Sequence, residues 1–178
     1  MSEFEGFGKI ARLSRPCTIT EKIDGTNAQI CITEDGQFLT GSRSRWITPE
    51  DDNFGFSKWA HEHKDELMTL GVGRHFGEWW GLGIQRGYGQ SVRQFSLFNT
   101  SVWWDSMKRP ECCGVVPVMY EGAFDSAAIN YVLSNLSIHG SHAARGFMEP
   151  EGIIIYHHAA NLYFKKTLDK DDQWKGKK

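Results

Sequence analysis

The 178-residue chain contains nothing close to about 18 consecutive apolar residues, and its opening MSEFEGFGKI has no basic segment leading into an apolar run. Neither a membrane span nor a secretory leader is therefore expected, and the cytoplasm is the expected compartment. Cysteine is scarce: four residues, at 17, 31, 112 and 113, with no CxxC pair. Neighbours such as Cys112 and Cys113 cannot form an ordinary disulfide across regular backbone, so all four are read as reduced thiols. No cysteine or third histidine stands at zinc-finger spacing beside the pairs His61/His63 and His157/His158, and no structural zinc is expected. An excess of one charge is missing too. The formal net charge of -2 argues against coating nucleic acid through bulk charge and leaves room for local phosphate-binding clusters. The glycine-rich segment GLGIQRGYG lacks dinucleotide-binding spacing and does not run from a strand into a helix. Repeats, linkers and low-complexity stretches are also absent, so one domain over residues 1–178 is expected.

What is present is an ordinary globular composition, 40% hydrophobic, 24% charged and 13% aromatic. A domain of this length buries roughly 70% of its unfolded surface and needs no staple. Residues 17–23, CTITEKI, and 27–33, NAQICIT, are rich in β-branched and apolar positions, and Glu34-Asp35-Gly36-Gln37 turns the chain into QFLTGS. Apolar residues at 54, 59, 60, 67 and 70 predict one amphipathic helix over 54–70, N-capped by Asp52 or Asn53 and stopped at Gly71. Residues 74–80, 93–99 and 115–121 read as strands, and 126 to about 137 as a second helix. Two short strands, EGIIIYH and LYFKK, follow, then a charged tail, DKDDQWKGKK, expected to be solvated. The pattern predicts an α+β fold of antiparallel sheets flanked by helices.

The strongest local signal is Glu21-Lys22-Ile23-Asp24-Gly25-Thr26-Asn27: a lysine at the end of an apolar strand, then an acid and a glycine that permit a sharp turn. Alone, Lys-x-Asp-Gly is degenerate and equally describes a hairpin with a solvated lysine. In company it is specific. KIDGTN resembles motif I of the covalent nucleotidyltransferases, the superfamily of DNA ligases, RNA ligases and mRNA capping enzymes. Gly41-Ser42-Arg43-Ser44-Arg45 resembles motif Ia, Phe76-Gly77-Glu78-Trp79 motif III, and Phe95-Ser96-Leu97-Phe98 motif IIIa. Glu151-Gly152-Ile153-Ile154 and Phe164-Lys165-Lys166 resemble motifs IV and V. Six motifs arrive in the family's order across residues 21–166. The EKIDGTN start, the tryptophans after Glu78 and the short FSLF and EGIII segments look most like ATP-dependent RNA ligases of the RNA-repair type, including small phage members.

That resemblance implies an ATP-grasp-like nucleotidyltransferase domain in which Lys22 carries AMP as a phosphoramidate. Attack on the α-phosphorus requires a neutral amine, whereas an ordinary lysine titrates near ~10.4, so partial burial and nearby cations are expected to tune it. Catalytic roles fall by resemblance on Lys22, Glu78, Glu151 and Lys165. Glu21, Asn27, Arg43, Phe98, Lys165 and Lys166 are implied nucleotide contacts. Glu78 and Glu151 are also the implied carboxylates for Mg²⁺ or Mn²⁺, hard cations that prefer oxygen ligands. Phe98 is the expected stacking partner of the adenine, with Phe95 as the other choice, since strand alternation leaves the register open. Arg43 and Arg45 compete for a phosphate of the nucleotide or of the 5′ end, and Arg86, on a loop read as mobile, is a further expected nucleic-acid contact. Trp79 or Trp80 is a minor candidate for stacking a base, and Asp24 for positioning Lys22 or a metal, its commoner role being an Asx turn. Motif V departs from the usual two lysines separated by one residue. Lys165 and Lys166 are adjacent and alternate across the strand, so only one is expected on phosphate, Lys165 by preference.

The implied substrates are ATP and a nucleic acid, RNA favoured, with 5′-phosphate and 3′-hydroxyl ends. Residues 21–166 hold all six motifs, so no oligonucleotide-binding or helical C-terminal domain is expected in the 178 residues, and nucleic-acid affinity is expected from loops or an accessory protein. A GTP-dependent capping-type transferase and a non-catalytic domain that binds nucleotides or nucleic-acid ends stay open as alternatives.

Overall fold

A computed structural model describes residues 3–169, and apart from Asp169 the charged tail lies outside them. Two sheets carry the fold. The first has four strands in the order β10-β9-β1-β8, with β1 Pro16–Lys22, β8 Val118–Ala123, β9 Gly152–His157 and β10 Leu162–Thr167. The second has six, in the order β4-β3-β2-β5-β6-β7: β2 Thr26–Ile32, β3 Phe38–Ser42, β4 Trp46–Ile47, β5 Gly73–Gly81, β6 Arg93–Leu97 and β7 Cys113–Val115. Every neighbouring pair runs antiparallel except β6 and β7, which run parallel. With α1 Phe56–Glu62, α2 Lys64–Leu67, α3 Thr100–Trp103 and α4 Ser126–His139, the fold is the α+β arrangement expected of the sequence. Among the described residues no helix is long and apolar enough to cross a membrane.

Side chains alternate across a strand, so each sheet has one face to bury and one to use. In the first sheet Cys17, Ile19, Ile153 and Ile155 bury against Val132, Leu133 and Leu136 of α4. In the second, Ala28, Ile30, Trp79, Phe95 and Leu97 bury against Phe56 and Ala60 of α1 and Leu67 of α2. The opposite faces, Thr18, Thr20 and Lys22 from one sheet and Asn27, Gln29, Phe76 and Glu78 from the other, line a single cleft.

Two elements differ from their sequence reading. The helix over 54–70 is broken at His63, whose φ of -107° and ψ of 18° leave the helical region, and it finishes as a 3₁₀ turn, Met68–Leu70, before Gly71 at φ 83°. Apolar spacing runs through this break because both pieces present the same face to the core. Asp52 caps the amides of Ser57 (2.8 Å) and Lys58 (2.9 Å) from outside the helix, while Gly55, at φ 72°, holds the N-cap position. The strand over 115–121 is two strands in different sheets, β7 and β8. The crossing lies at Val116-Pro117, where the proline can give no ladder hydrogen bond.

Candidate active site

Lys22 is the last residue of β1 and pairs with Gly152, so the ladder places it beside Glu151, and its Nζ donates a hydrogen bond to Glu151 Oε2. The two side chains are 23% and 18% exposed, so the ion pair is partly screened from solvent. Past Lys22 the chain crosses between the sheets in three residues. Ile23 is buried with Trp80, Tyr88 and Val116. The Asp24 amide donates to the Tyr88 hydroxyl at 3.0 Å, and its carboxylate accepts from Arg86 Nε at 3.0 Å, so Asp24 is held by a cation from a distant loop. Gly25 is needed for closeness: a Cβ there would lie 2.5 Å from the Trp79 carbonyl oxygen and 2.8 Å from Trp80 Cβ.

Glu78 stands opposite Asn27 in the β2–β5 ladder, 7% exposed. It accepts from the Gly25 amide at 3.0 Å on one oxygen and from Asn27 Nδ2 at 2.8 Å on the other. Burial raises its pKa from 4.5 to about 7, against the opposing pull of the Asn27 hydrogen bond, the Lys22 charge and the Gly25 amide. Near neutrality this carboxyl is divided between its protonated and ionised forms.

The cleft measures about 900 Å³ and is lined by Lys22, Asn27, Glu78, Arg43 and Phe98, among others. Phe98 extends the β6 edge, its amide bonding to the Phe76 carbonyl at 2.9 Å, and it is 38% exposed on one wall, while Ile154 lines the other wall. Phe95, the other choice, is fully buried in the core of the second sheet. Arg43 reaches the cleft. Arg45 does not: its guanidinium makes two bonds to Asp51, at 2.5 and 3.1 Å, outside the lining residues. In motif V, Lys165 pairs with Ile154 and Lys166 with Ile153. Directly paired residues share a face, so Lys165 is on the cleft side and Lys166 on the α4 side, although neither lines the cleft itself.

Three expectations change. The Glu21 carboxylate is 1% exposed on the α4 face and accepts from the Ser141 hydroxyl at 2.6 Å and the amides of His142 and Ala143 at 2.8 and 2.9 Å. That leaves only its backbone for a nucleotide. Arg86, still partly exposed, spends its guanidinium on the protein, donating to Asp24 and to the Glu149 carbonyl at 2.9 Å. Its loop is tightly wound, with Ile84 and Tyr88 buried and Gln85 and Tyr88 at φ 46° and 52°. Trp79 and Trp80 are each 2% exposed, with indole N–H groups bonded to the Phe54 carbonyl and the Ser96 hydroxyl, so neither offers a stacking face.

Sequence reasoning missed part of the cleft wall: Arg74, Thr18, Tyr156, His158 and Tyr163. Steps of two from Glu78 reach Phe76 and Arg74, and steps of two from Lys22 reach Thr20 and Thr18, so alternation held the signal once one residue per strand was placed.

Among the described residues no three His, Cys, Asp or Glu side chains converge as metal ligands. The donors implied by the motifs are the carboxylates of Glu78, which lines the cleft, and Glu151, which is bonded to Lys22, and the charges of Lys22 and Glu151 both act on Glu78. That set fits Mg²⁺ or Mn²⁺ held by one or two carboxylates with phosphate and water completing the shell, and does not fit an all-protein cage.

Residues 15–169 match the family model described as RNA ligase. A search of curated proteins finds no match. Among solved structures the chain is similar to an RNA ligase of Naegleria gruberi. A Lys-to-Met mutant of that protein with AMP and Mn is 16% identical, with a TM-score of 0.65 over 87% of this chain and 50% of that one. A Lys-to-Ala mutant with ATP and Mn is 15% identical at TM-score 0.64, over 86% and 50%. The same ligase with PPi gives 15% and 0.64, over 86% and 50%. These likenesses bear on the fold, and the chain spans about half the length of the ligases it matches.

Proposed function

The chain belongs to the RNA ligase family, and from that premise we propose that it is an ATP-dependent RNA ligase whose nucleophile is Lys22. In the first step Lys22 Nζ attacks the α-phosphorus of ATP; a P–N bond forms, the α–β P–O bond breaks, and pyrophosphate leaves. AMP then passes from Nζ to the 5′-phosphate of a nucleic acid, and a 3′-hydroxyl displaces it to close a phosphodiester. The observation that carries this reading is that Lys22, bonded to Glu151, lines one cleft together with Glu78, Phe98 and Arg43.

Each residue has a task its position suits. Glu151 holds Lys22 through a charge-assisted bond, which orients Nζ, and its Oε2 is the nearest acceptor for the proton that must leave before attack. Asn27, engaged with Glu78, and Phe98 on the wall facing Ile154 form a slot for ribose and base, the ring stacking on Phe98. Arg43 suits a phosphate, of the nucleotide or of the accepting 5′ end. Lys165, on the cleft face of the edge strand, supplies positive charge toward the triphosphate. Glu151 and Glu78 would hold Mg²⁺ or Mn²⁺, which supplies neutralisation of phosphate charge when bound. The described residues make one adenylation domain, and an accessory protein supplies additional affinity for RNA.

Intact mass after incubation with ATP and Mg²⁺ or Mn²⁺ tests the reading, beside Lys22→Ala and a GTP arm. The expected result is a gain of one AMP that Lys22→Ala abolishes. GMP attachment in its place identifies a capping-type transferase, and no adduct with any nucleotide leaves a binding domain; either result overturns the proposal.

A further inference from the structure

Beyond the residues assigned by motif, we propose that Arg86 is a positioning residue that clamps the Lys22 turn to the segment entering Glu151, and so sets the geometry of nucleotidyl transfer. The proposal rests on the reading of Lys22 as the adenylated residue. The β1–β9 ladder ends at the pair Lys22–Gly152. One residue beyond this end, the two chains part: one turns through Ile23 and Asp24 toward the second sheet, the other arrives through Glu149 and Pro150. Arg86 closes that fork. Its Nε donates to Asp24 Oδ2 at 3.0 Å while Nη1 donates to the Glu149 carbonyl at 2.9 Å. A single planar guanidinium thus spans both branches, which a lysine, with its single ammonium, does not reproduce.

The loop that presents Arg86 is built to hold it still. Ile84 is fully buried, and Gly81 approaches the strand beside it so closely that a Cβ would fall 2.3 Å from the Val92 carbonyl oxygen. Two residues after Arg86, Tyr88 packs on Phe147 and Trp80 at 4.5 and 5.4 Å, and its hydroxyl receives the Asp24 amide. The Asp24 turn is therefore gripped twice from one rigid loop, at its amide and at its carboxylate. Arg86 does not line the cleft, so its influence on the reaction passes through where Lys22 and Glu151 stand.

Arg86→Ala and Arg86→Lys in the full chain test this, with two readouts. Hydrogen exchange, which needs no activity, should show faster exchange in Arg86→Ala both at residues 23–26 and at 149–152, with smaller changes in Arg86→Lys. Single-turnover adenylation without RNA should slow by roughly 10- to 100-fold in Arg86→Ala at unchanged KM for ATP, the cost of misplacing reacting groups by an ångström or less. Asp24→Ala removes only one arm of the clamp and should slow it less, and the double variant should be no slower than Arg86→Ala, because the contact the two residues share is already lost in that variant. Wild-type exchange at both segments overturns the clamp, as does unchanged adenylation accompanied by weaker RNA binding, which would return Arg86 to a nucleic-acid contact. If the native chain takes up no AMP while both segments loosen in the variant, the adenylation reading fails and the clamp is upheld.

Discussion

Glu78 offers a test in which sign and size both follow from its surroundings. Its carboxyl sits 7% exposed beside Trp79 and the Gly25 turn, and burial raises its pKa from 4.5 to about 7. The folded state thus holds the proton more tightly than the unfolded chain does. The resulting stabilisation is fully present below 4.5 and is lost as the pH rises through about 7. At about 1.36 kcal/mol per pH unit, the whole window is worth about 3 kcal/mol, and about 2.5 kcal/mol of it falls between about pH 5 and pH 8. Glu78→Gln keeps the shape and abolishes the titration. Urea unfolding of the metal-free chain across that range, with EDTA present, should show the native protein losing about 2.5 kcal/mol relative to Glu78→Gln. Titrating groups that do not interact with Glu78 cancel in this difference. Lys22→Ala, which removes a charge that holds the value down, should move the loss to higher pH. Parallel stability curves for the native chain and Glu78→Gln would refute the reasoning, since the burial invoked would then have no energetic consequence.

Two more predictions follow from strand faces. Lys165→Ala should slow adenylation about tenfold or more, the scale of a lost charge-assisted bond to phosphate, whereas Lys166→Ala, on the α4 side, should leave the rate near native; the reverse order would show the register argument to be mistaken. Glu21→Ala strands the Ser141 hydroxyl and two backbone amides, and should lower unfolding free energy by at least about 2 kcal/mol in denaturant titration, while the folded protein keeps its KM for ATP. A raised KM without loss of stability would restore Glu21's side chain to the nucleotide.

Much of this protein was legible in its sequence, because local chemistry is written locally. The strand alternation of CTITEK and TNAQICI, the glycine after Asp24, the helix beginning at Ser126 and the order of the six motifs need only neighbours along the chain. Even there, the reason for Gly25 was spatial, a close approach to Trp79 rather than a left-handed turn. Which residue of each competing pair faces the cleft was undecidable locally: Phe95 against Phe98, Lys165 against Lys166, Arg43 against Arg45. A shift of one position reverses a strand's faces, and only the pairing register fixes it. The structure also redirected two charged side chains, Glu21 and Arg86, from ligand to protein, because a buried or bonded charge is recognised by partners more than 60 residues away, among them Ser141 and Asp24. The sequence by itself determined the fold class and the motifs, in order, by which the chain resembles its family. The tertiary structure alone decided which of them share a cleft, since that depends on two sheets meeting across the turn at Lys22.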